Sequence, residues 1–364
     1  MQFEMDKDTL FDGLSKLVPI TEKKSPLPIL SHVLIELDDS TITLTATDLE
    51  VGLRINYDCK TIEPGNITVP AKKLFEIVKE LRPGSVTITS NDRNRLNLQS
   101  GPSSFDLAGM DSADFPLWAN FDSVKTAEVA SDTLTRMLDK TLFAASNDDS
   151  RFNLNGVLFE RENEKTKLVS TDGHRLALIE TELELPIDSK FIVPKKGLIE
   201  LKRFLENLKQ NALFGFEKKN LVVKTERAIM TVRLIDGDYP DYNKVVPQTE
   251  GQMAFIDRNS FIQSLKRVAI LTSDRNRGIN LLLGDGELKI SVTNPELGSA
   301  EDSVEVEFGG QEVKMIINVQ YLLDALGVIS SDKVSLEYHK EGAPIIIKPN
   351  PPQDYFNIVM PMRK

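Results

Sequence analysis

PAKKLFEIVKEL at residues 70–81 returns as PKKGLIELKRFLENL at 194–208, and its pattern returns again as NVQYLLDALGVI at 318–329. In each stretch the apolar residues recur at helical spacing: Leu74, Val78 and Leu81, then Leu198, Leu201, Leu205 and Leu208, then Val319, Leu322, Leu323 and Leu326. That spacing predicts a helix with one buried face and one solvated face, three times over. Some sixty residues before each lies another one-sided helix. These are DTLFDGLSKLV (8–18), DTLTRMLDKTL (132–142) and NSFIQSLKRVA (259–269), with Leu10, Leu14 and Leu17, Leu134, Leu138 and Leu142, and Phe261, Leu265 and Val268 on their apolar faces. Asp8, Asp132 and Asn259 stand where an N-cap is expected.

Between the two helices of each copy runs an alternating strand pair: LPILSHVLIELDDSTITLTATDLE (27–50), FNLNGVLFERENEKTKLVSTDGHRLALIE (152–180) and GINLLLGDGELKISVTNPE (278–296). Ile42 and Leu44, or Leu288, Ile290 and Val292, show the period of two that half-buried strands require. Further strands close each copy: SVTITSNDRNRLNLQSGPSSFDL (85–107), ALFGFEKKNLVVKTERAIMTVRL (212–234) and KVSLEYHKEGAPIIIKP (333–349) with YFNIVMPM (355–362). The order helix, strands, helix, strands, at a period of about 125 residues, predicts an α+β chain of three similar domains. Each would pack two helices on antiparallel sheet, over 1–120, 121–250 and 251–364, with Pro-containing joints near Pro116 and Pro247.

Composition limits the function classes. A chain of 364 residues exceeds what one core usually serves, and 40% hydrophobic with 27% charged residues is ordinary globular usage. No stretch approaches the roughly 20 apolar residues of a membrane span. The N-terminus, MQFEMDKDTL, has neither the basic start nor the apolar core of a secretory signal. Cys59 is the only cysteine, so a reducing cytoplasm is expected and no intramolecular disulfide is available. With one cysteine and only His32, His174 and His339, well apart, neither a structural zinc site nor any other metal or cofactor is expected.

The net charge of −11 argues against a protein that simply coats nucleic acid. Yet the six helices together carry +6, concentrated at Lys72, Lys73, Lys79 and Arg82, at Lys195, Lys196, Lys202, Arg203 and Lys209, and at Lys266 and Arg267. Acid is thereby left to the rest of the chain. A basic helix face repeated in one molecule suits a duplex held through its phosphates, without base reading and free to slide.

Several marks in fixed order resemble one family, the bacterial sliding clamp or beta subunit of DNA polymerase III. They are LPIL (27–30), TDLE (47–50), ADFP (113–116), LNG (154–156), STDGHRLA (170–177), VPKKGLIEL (193–201), DGDYPDY (236–242), NVQYLLDAL (318–326) and VMPMR (359–363), spread over the full length. The resemblance implies a head-to-tail homodimer whose six similar domains form a ring, with twelve helices facing duplex DNA and sheets around the outside. It further implies a site for short linear peptides of the replicative polymerase, the clamp loader and repair proteins. Carried over, that site comprises Leu154, Thr171, Gly173, His174, Arg175, Leu176, Pro240, Val245, Tyr321, Ile358, Met360, Pro361, Met362 and Arg363. Its leucines, valine, proline and methionines would make an adaptable apolar pocket for Leu or Phe side chains, with His174 and Arg175 as polar anchors.

The candidate DNA contacts are Lys24, Lys72, Lys73, Arg151, Lys195, Lys196, Lys202, Arg203, Lys266 and Arg277, and the candidate dimer contacts are Phe105 and Leu107 against Ile270 and Leu271. The chain departs from the family's pattern at Pro102 and Ser104, where arginines often flank the interface strand. It departs again at Lys244, where arginine is frequent, and at Asp148 and Asp149 in the loop before LNG. Two rival classes compete. One is a protein-binding repeat scaffold that never encircles DNA. The other is an enzyme built on Asp172 and His174, although no nucleophile elbow or phosphate loop accompanies them. Without an ATP site, loading onto DNA would fall to another protein.

Overall fold

A computed structural model describes residues 1–21, 26–121, 123–186, 190–206, 208, 211–247, 251–273, 277–284, 286–340 and 342–362. The helices expected from the periodicity are α1 (Lys7–Leu17), α2 (Ala71–Glu80), α3 (Ser131–Thr141), α4 (Lys195–Glu206), α5 (Arg258–Ala269) and α6 (Val319–Gly327). Their buried stripes are those expected from the spacing: Leu10, Leu14 and Leu17 on α1, Leu74 and Val78 on α2, Leu322 and Leu326 on α6. Each such leucine, removed from water, contributes about 2 kcal/mol of transfer free energy.

The caps differ from expectation. Asp6 caps α1, accepting from the N–H groups of Asp8 and Thr9, and Asp257 caps α5, accepting from Ser260. Asp8 and Asn259 lie inside the first turn, because in both places a strand runs directly into the helix and its last residue turns the chain.

The chain divides into two compact bodies, one of Met1–Thr133 with Lys196–Leu234, the other of Leu134–Lys195 with Ile235 onward. The middle repeat therefore contributes to both. In the first body a five-stranded sheet runs in the order Lys60–Glu63, Gln2–Asp6, Ser85–Asn91, Arg95–Ser100, Ser103–Ala108. Beside it an eight-stranded sheet joins Thr126–Val129, Ala212–Glu217, Asn220–Lys224 and Ala228–Arg233 to Val51–Asp58, Thr41–Thr47, His32–Leu37 and Gly65–Pro70.

The second body holds one twelve-stranded sheet. Its order is Phe191–Pro194, Gly156–Glu162, Lys165–Thr171, Arg175–Glu182, Tyr355–Val359, Ile345–Asn350, Lys333–Tyr338, Gln252–Asp257, Gly298–Glu307, Glu287–Asn294, Gly278–Leu283, Val313–Asn318. Every ladder in these sheets is antiparallel. The last strand of one repeat pairs with a strand of the repeat before it: Ala228–Arg233 on Val51–Asp58, and Tyr355–Val359 on Arg175–Glu182. Sheets thus run continuously from one repeat into the next. Among the described residues, no helix is long and apolar enough to cross a membrane.

Candidate functional site

The second of those joints carries the candidate pocket. Strand Arg175–Glu182 lies on Tyr355–Val359 with Leu176 opposite Ile358, and the chain leaves the sheet at Met360, whose N–H donates to the His174 carbonyl at 2.8 Å. Met362 is tied in turn, its N–H donating to Ile316 O at 2.7 Å. Against this edge folds the linker around Pro240, with Tyr242 buried among Leu158, Leu176, Ile346 and Ile358. The result is a cavity of about 130 Å³ lined by Leu154, Thr171, Gly173, Arg175, Leu176, Pro240, Asp241, Tyr242, Val245, Ile358 and Met360.

Asp241 and Tyr242 join the lining beyond the residues expected from sequence; the signal that could have found them is DGDYPDY, of which they are the last two residues. Tyr242 is anchored by its hydroxyl, which donates to Glu160 Oε2 at 2.8 Å, and burial together with this bond raises its pKa. Of the other expected residues, His174 and Tyr321 stand beside the cavity with rings stacked at 6.4 Å. Pro361 is half-buried and Met362 exposed. Arg363 lies outside the described residues.

The turn Thr171–Arg175 that shapes the cavity wall is held by its own side chains. Asp172 Oδ1 accepts from the N–H groups of His174 (2.9 Å) and Arg175 (3.1 Å), and Gly173 N–H donates to Thr171 Oγ1 at 3.0 Å. Gly173 sits at φ +87°, a conformation that costs glycine little. Asp172, the carboxylate of the enzyme alternative, is thus committed to capping this turn and to Arg175 Nε at 3.0 Å.

Arg175 is the keystone. It is mostly buried, pairs with Asp172 and Asp324, donates to Phe143 O at 2.8 Å, and has its guanidinium 4.7 Å from the Tyr321 ring. Asp324 also accepts from Gln320, and Gln320 from Arg277 at 3.2 Å. Replacing Arg175 by Ala takes the cation from two partly buried carboxylates, which keep only the turn N–H groups and Gln320, and we expect a loss of about 1.5–3 kcal/mol of stability. An unfolding midpoint in urea equal to that of the unmodified chain would refute the keystone role.

The candidate DNA-contacting cations are mostly engaged with nearby acid. Lys72 and Lys73, both exposed, share Glu76 at 3.7 and 2.8 Å, and this pairing lowers the Glu76 pKa. Lys202 meets Glu206 at 3.3 Å and Arg203 meets Glu200 at 2.6 Å. Pairs of this exposed, single-turn kind are worth only a few tenths of a kcal/mol, so a phosphate displaces them readily.

Two cations are held more firmly. Lys195 donates to Ala145 O and Asn147 Oδ1, both at 2.9 Å, and burial, with Arg175 adding to it, lowers its pKa. Lys196 pairs at 2.6 Å with Asp48, whose carboxylate is buried. Arg151 donates to Asp172 O at 3.3 Å and lies 3.9 Å from Asp148, a carboxylate whose hydrogen bonds from Ser150 lower its pKa. Lys266 is exposed on α5. Lys24, Lys209 and the side chain of Asp149 lie outside the described residues.

Of the candidate dimer contacts, Phe105 and Leu107 are half-buried on Ser103–Ala108, the outermost strand of the five-stranded sheet. Ile270, just beyond α5, is 75% exposed, and Leu271 half-buried. Beside the departures, Asp106 is neutralised within its own sheet by Arg95 (3.1 Å), Asn97 donates to Ser104 at 3.2 Å, and Pro102 is exposed. Lys244 is exposed and 3.7 Å from Asp241. Among the described residues, no three His, Cys, Asp or Glu side chains gather as a metal site would require.

Three copies of a two-helix antiparallel module, joined by edge-to-edge strand pairing between neighbours, make up the DNA-clamp class of fold. Profiles of the DNA polymerase III beta subunit match in succession: its N-terminal domain over residues 1–119, its central domain over 128–241 and its C-terminal domain over 243–363. The beta sliding clamp of Pseudomonas putida is 34% identical, with all of both chains covered. The solved beta subunit of Pseudomonas aeruginosa, 34% identical, aligns over the whole of both chains with a TM-score of 0.95. A sliding clamp of Bartonella birtlesii bound to griselimycin aligns as completely, at 30% identity and a TM-score of 0.94. The chain belongs to the family of the DNA polymerase III beta subunit, the bacterial sliding clamps.

Proposed function

We propose that this chain is a processivity factor: two copies close head to tail around duplex DNA, slide without sequence preference, and tether the replicative polymerase. The threefold module carries this reading, since six such modules complete a ring. The modules are assigned to 1–120, 121–250 and 251–364. The basic residues of the helices, with Arg151 and Arg277, provide phosphate contacts that position the duplex and read no base. The cavity beside Met360 takes Leu or Phe side chains of short linear peptides from the polymerase, the clamp loader and repair proteins. A few apolar anchors in so small a pocket give modest affinity and ready exchange. The protein works in the cytoplasm and is not an enzyme, the carboxylate of Asp172 being committed to its own turn.

Two strand edges suit the head-to-tail contact. One is the outer edge of Ser103–Ala108. The other is Gly298–Glu307, which pairs along most of its length on one side and with Gln252–Asp257 only at Val306 and Glu307 on the other. Open edges of this kind invite a further strand. Ile270→Asp should raise the dimer dissociation constant at least about 100-fold, as expected for a charge forced into an interface core. Sedimentation at micromolar concentration checks it, and a dimer as tight as the unmodified one would count against the contact.

Topology tests the whole reading. Once loaded on circular DNA the ring should stay through gel filtration and run off when the circle is cut; equal retention on both forms would favour a scaffold that never encircles DNA.

A further inference from the structure

We propose that the first joint between repeats carries a closed counterpart of the peptide pocket, with Trp118 as its permanent occupant, so that each chain offers one open site and one latent site for the same class of apolar peptide. The inference rests on the reading of the cavity beside Met360 as a peptide pocket.

The two joints are built alike, residue for residue. Thr47–Val51 repeats the turn of Thr171–Arg175: Glu50 and Val51 donate to Asp48 Oδ1 at 2.9 and 2.7 Å, and Leu49 N–H donates to Thr47 Oγ1 at 3.0 Å. Leu49 even adopts φ +75°, against +87° at Gly173. A side chain is rarely held in that region, so the shared architecture is imposing the turn. The strand that follows meets the next repeat in the same register, Val51 opposite Val232 and Gly52 opposite Thr231, as Arg175 faces Val359 and Leu176 faces Ile358. The linkers DFPLWANF (114–121) and DYPDYNKV (238–245) align without a gap, which places Trp118 at the position of Tyr242 and Phe121 at that of Val245.

What differs is the filling. The open pocket has Leu176 and Ile358 where the first joint has Gly52 and Thr231. A Cβ on Gly52 would lie 2.8 Å from Trp118 Cζ3 and 2.9 Å from Thr231 Oγ1, so the indole takes the space that the missing side chain of Gly52 leaves. Phe121 packs edge-on against it at 6.2 Å. The cause lies one strand away. Tyr242 is anchored in the cavity wall by its bond to Glu160, whereas the matching Glu36 is taken by Arg54 at 2.6 Å, and Arg54 stands 6.0 Å from the Trp118 ring. Lacking a hydroxyl and an available carboxylate, the indole settles over Gly52.

Trp118 is the only tryptophan of the chain, so one substitution tests the plug. Calorimetric titration of the full chain with an acetylated hexapeptide ending in Leu-Phe should give one site per chain, and the Trp118→Ala variant two. With residues 360–364 removed, the same two backgrounds should give none and one. A folded Trp118→Ala chain with a single site would overturn the inference. If that variant fails to fold, Trp118→Tyr with Phe121→Val and Arg54→Leu supplies the hydroxyl and frees Glu36 to receive it, and should itself show two sites; one site there would equally overturn it. No binding to the unmodified chain would remove the pocket reading itself, and this inference with it.

Discussion

Removing residues 360–364 will weaken peptide binding at least about 100-fold, which corresponds to roughly 2.7 kcal/mol, while leaving the sheet and the dimer in place. Met360 lines the cavity and is positioned by its N–H bond to His174 O. Without it one wall opens to water, and the apolar side chain of a peptide is neither packed nor fully desolvated there. The strand Tyr355–Val359 keeps its partners on both sides, Arg175–Glu182 and Ile345–Asn350, so the fold has no reason to fail. Fluorescence anisotropy with a labelled peptide measures the loss, and gel filtration confirms the dimer. Unchanged affinity would remove Met360 and the tail from the site.

The second large effect concerns DNA. In a chain carrying Lys72→Glu, Lys73→Glu and Lys266→Glu, the slope of log K against log salt should fall by about 0.9 for each phosphate no longer neutralised, hence by up to about 5 in a two-chain ring. Retention on circular DNA at physiological salt should fall with it. These three lysines are the informative ones because they are exposed. Lys72 and Lys73 lie in the first turn of α2, where acid is favourable to the helix dipole, and this offsets the few tenths of a kcal/mol that each lost pair and new like-charge contact with exposed Glu76 costs. Reversing Lys196 would instead set a carboxylate against buried Asp48, and reversing Lys195 would break two bonds to the Ala145–Asn147 segment. A loss of DNA retention in those variants would not separate contact from folding. An unchanged salt slope in the triple variant would sink the basic-face model.

Much was legible in the residues. The helix stripes and nine of the eleven pocket-lining residues follow from sequence, because periodicity marks the stripes and marks such as STDGHRLA and VMPMR bind the family's identity to particular positions. Asp241 and Tyr242 escaped because a linker has no periodicity to say which of its side chains turn inward. The state of the cations escaped as well: that Lys196 is bound to Asp48 depends on two segments more than a hundred residues apart coming side by side.

By itself, then, the sequence determined the three copies of one module, the face that each helix buries and the family to which the pattern belongs, since periodicity and local turn chemistry are properties of short stretches. Only the tertiary structure decided which strand pairs with which. A period of two says what a strand buries and nothing of its neighbour, and here the last strand of each of the later repeats pairs with its own module on one side and with the preceding one on the other. That pairing builds the same joint twice, and the packing of single side chains, Tyr242 toward Glu160 and Trp118 over Gly52, sets the two joints apart.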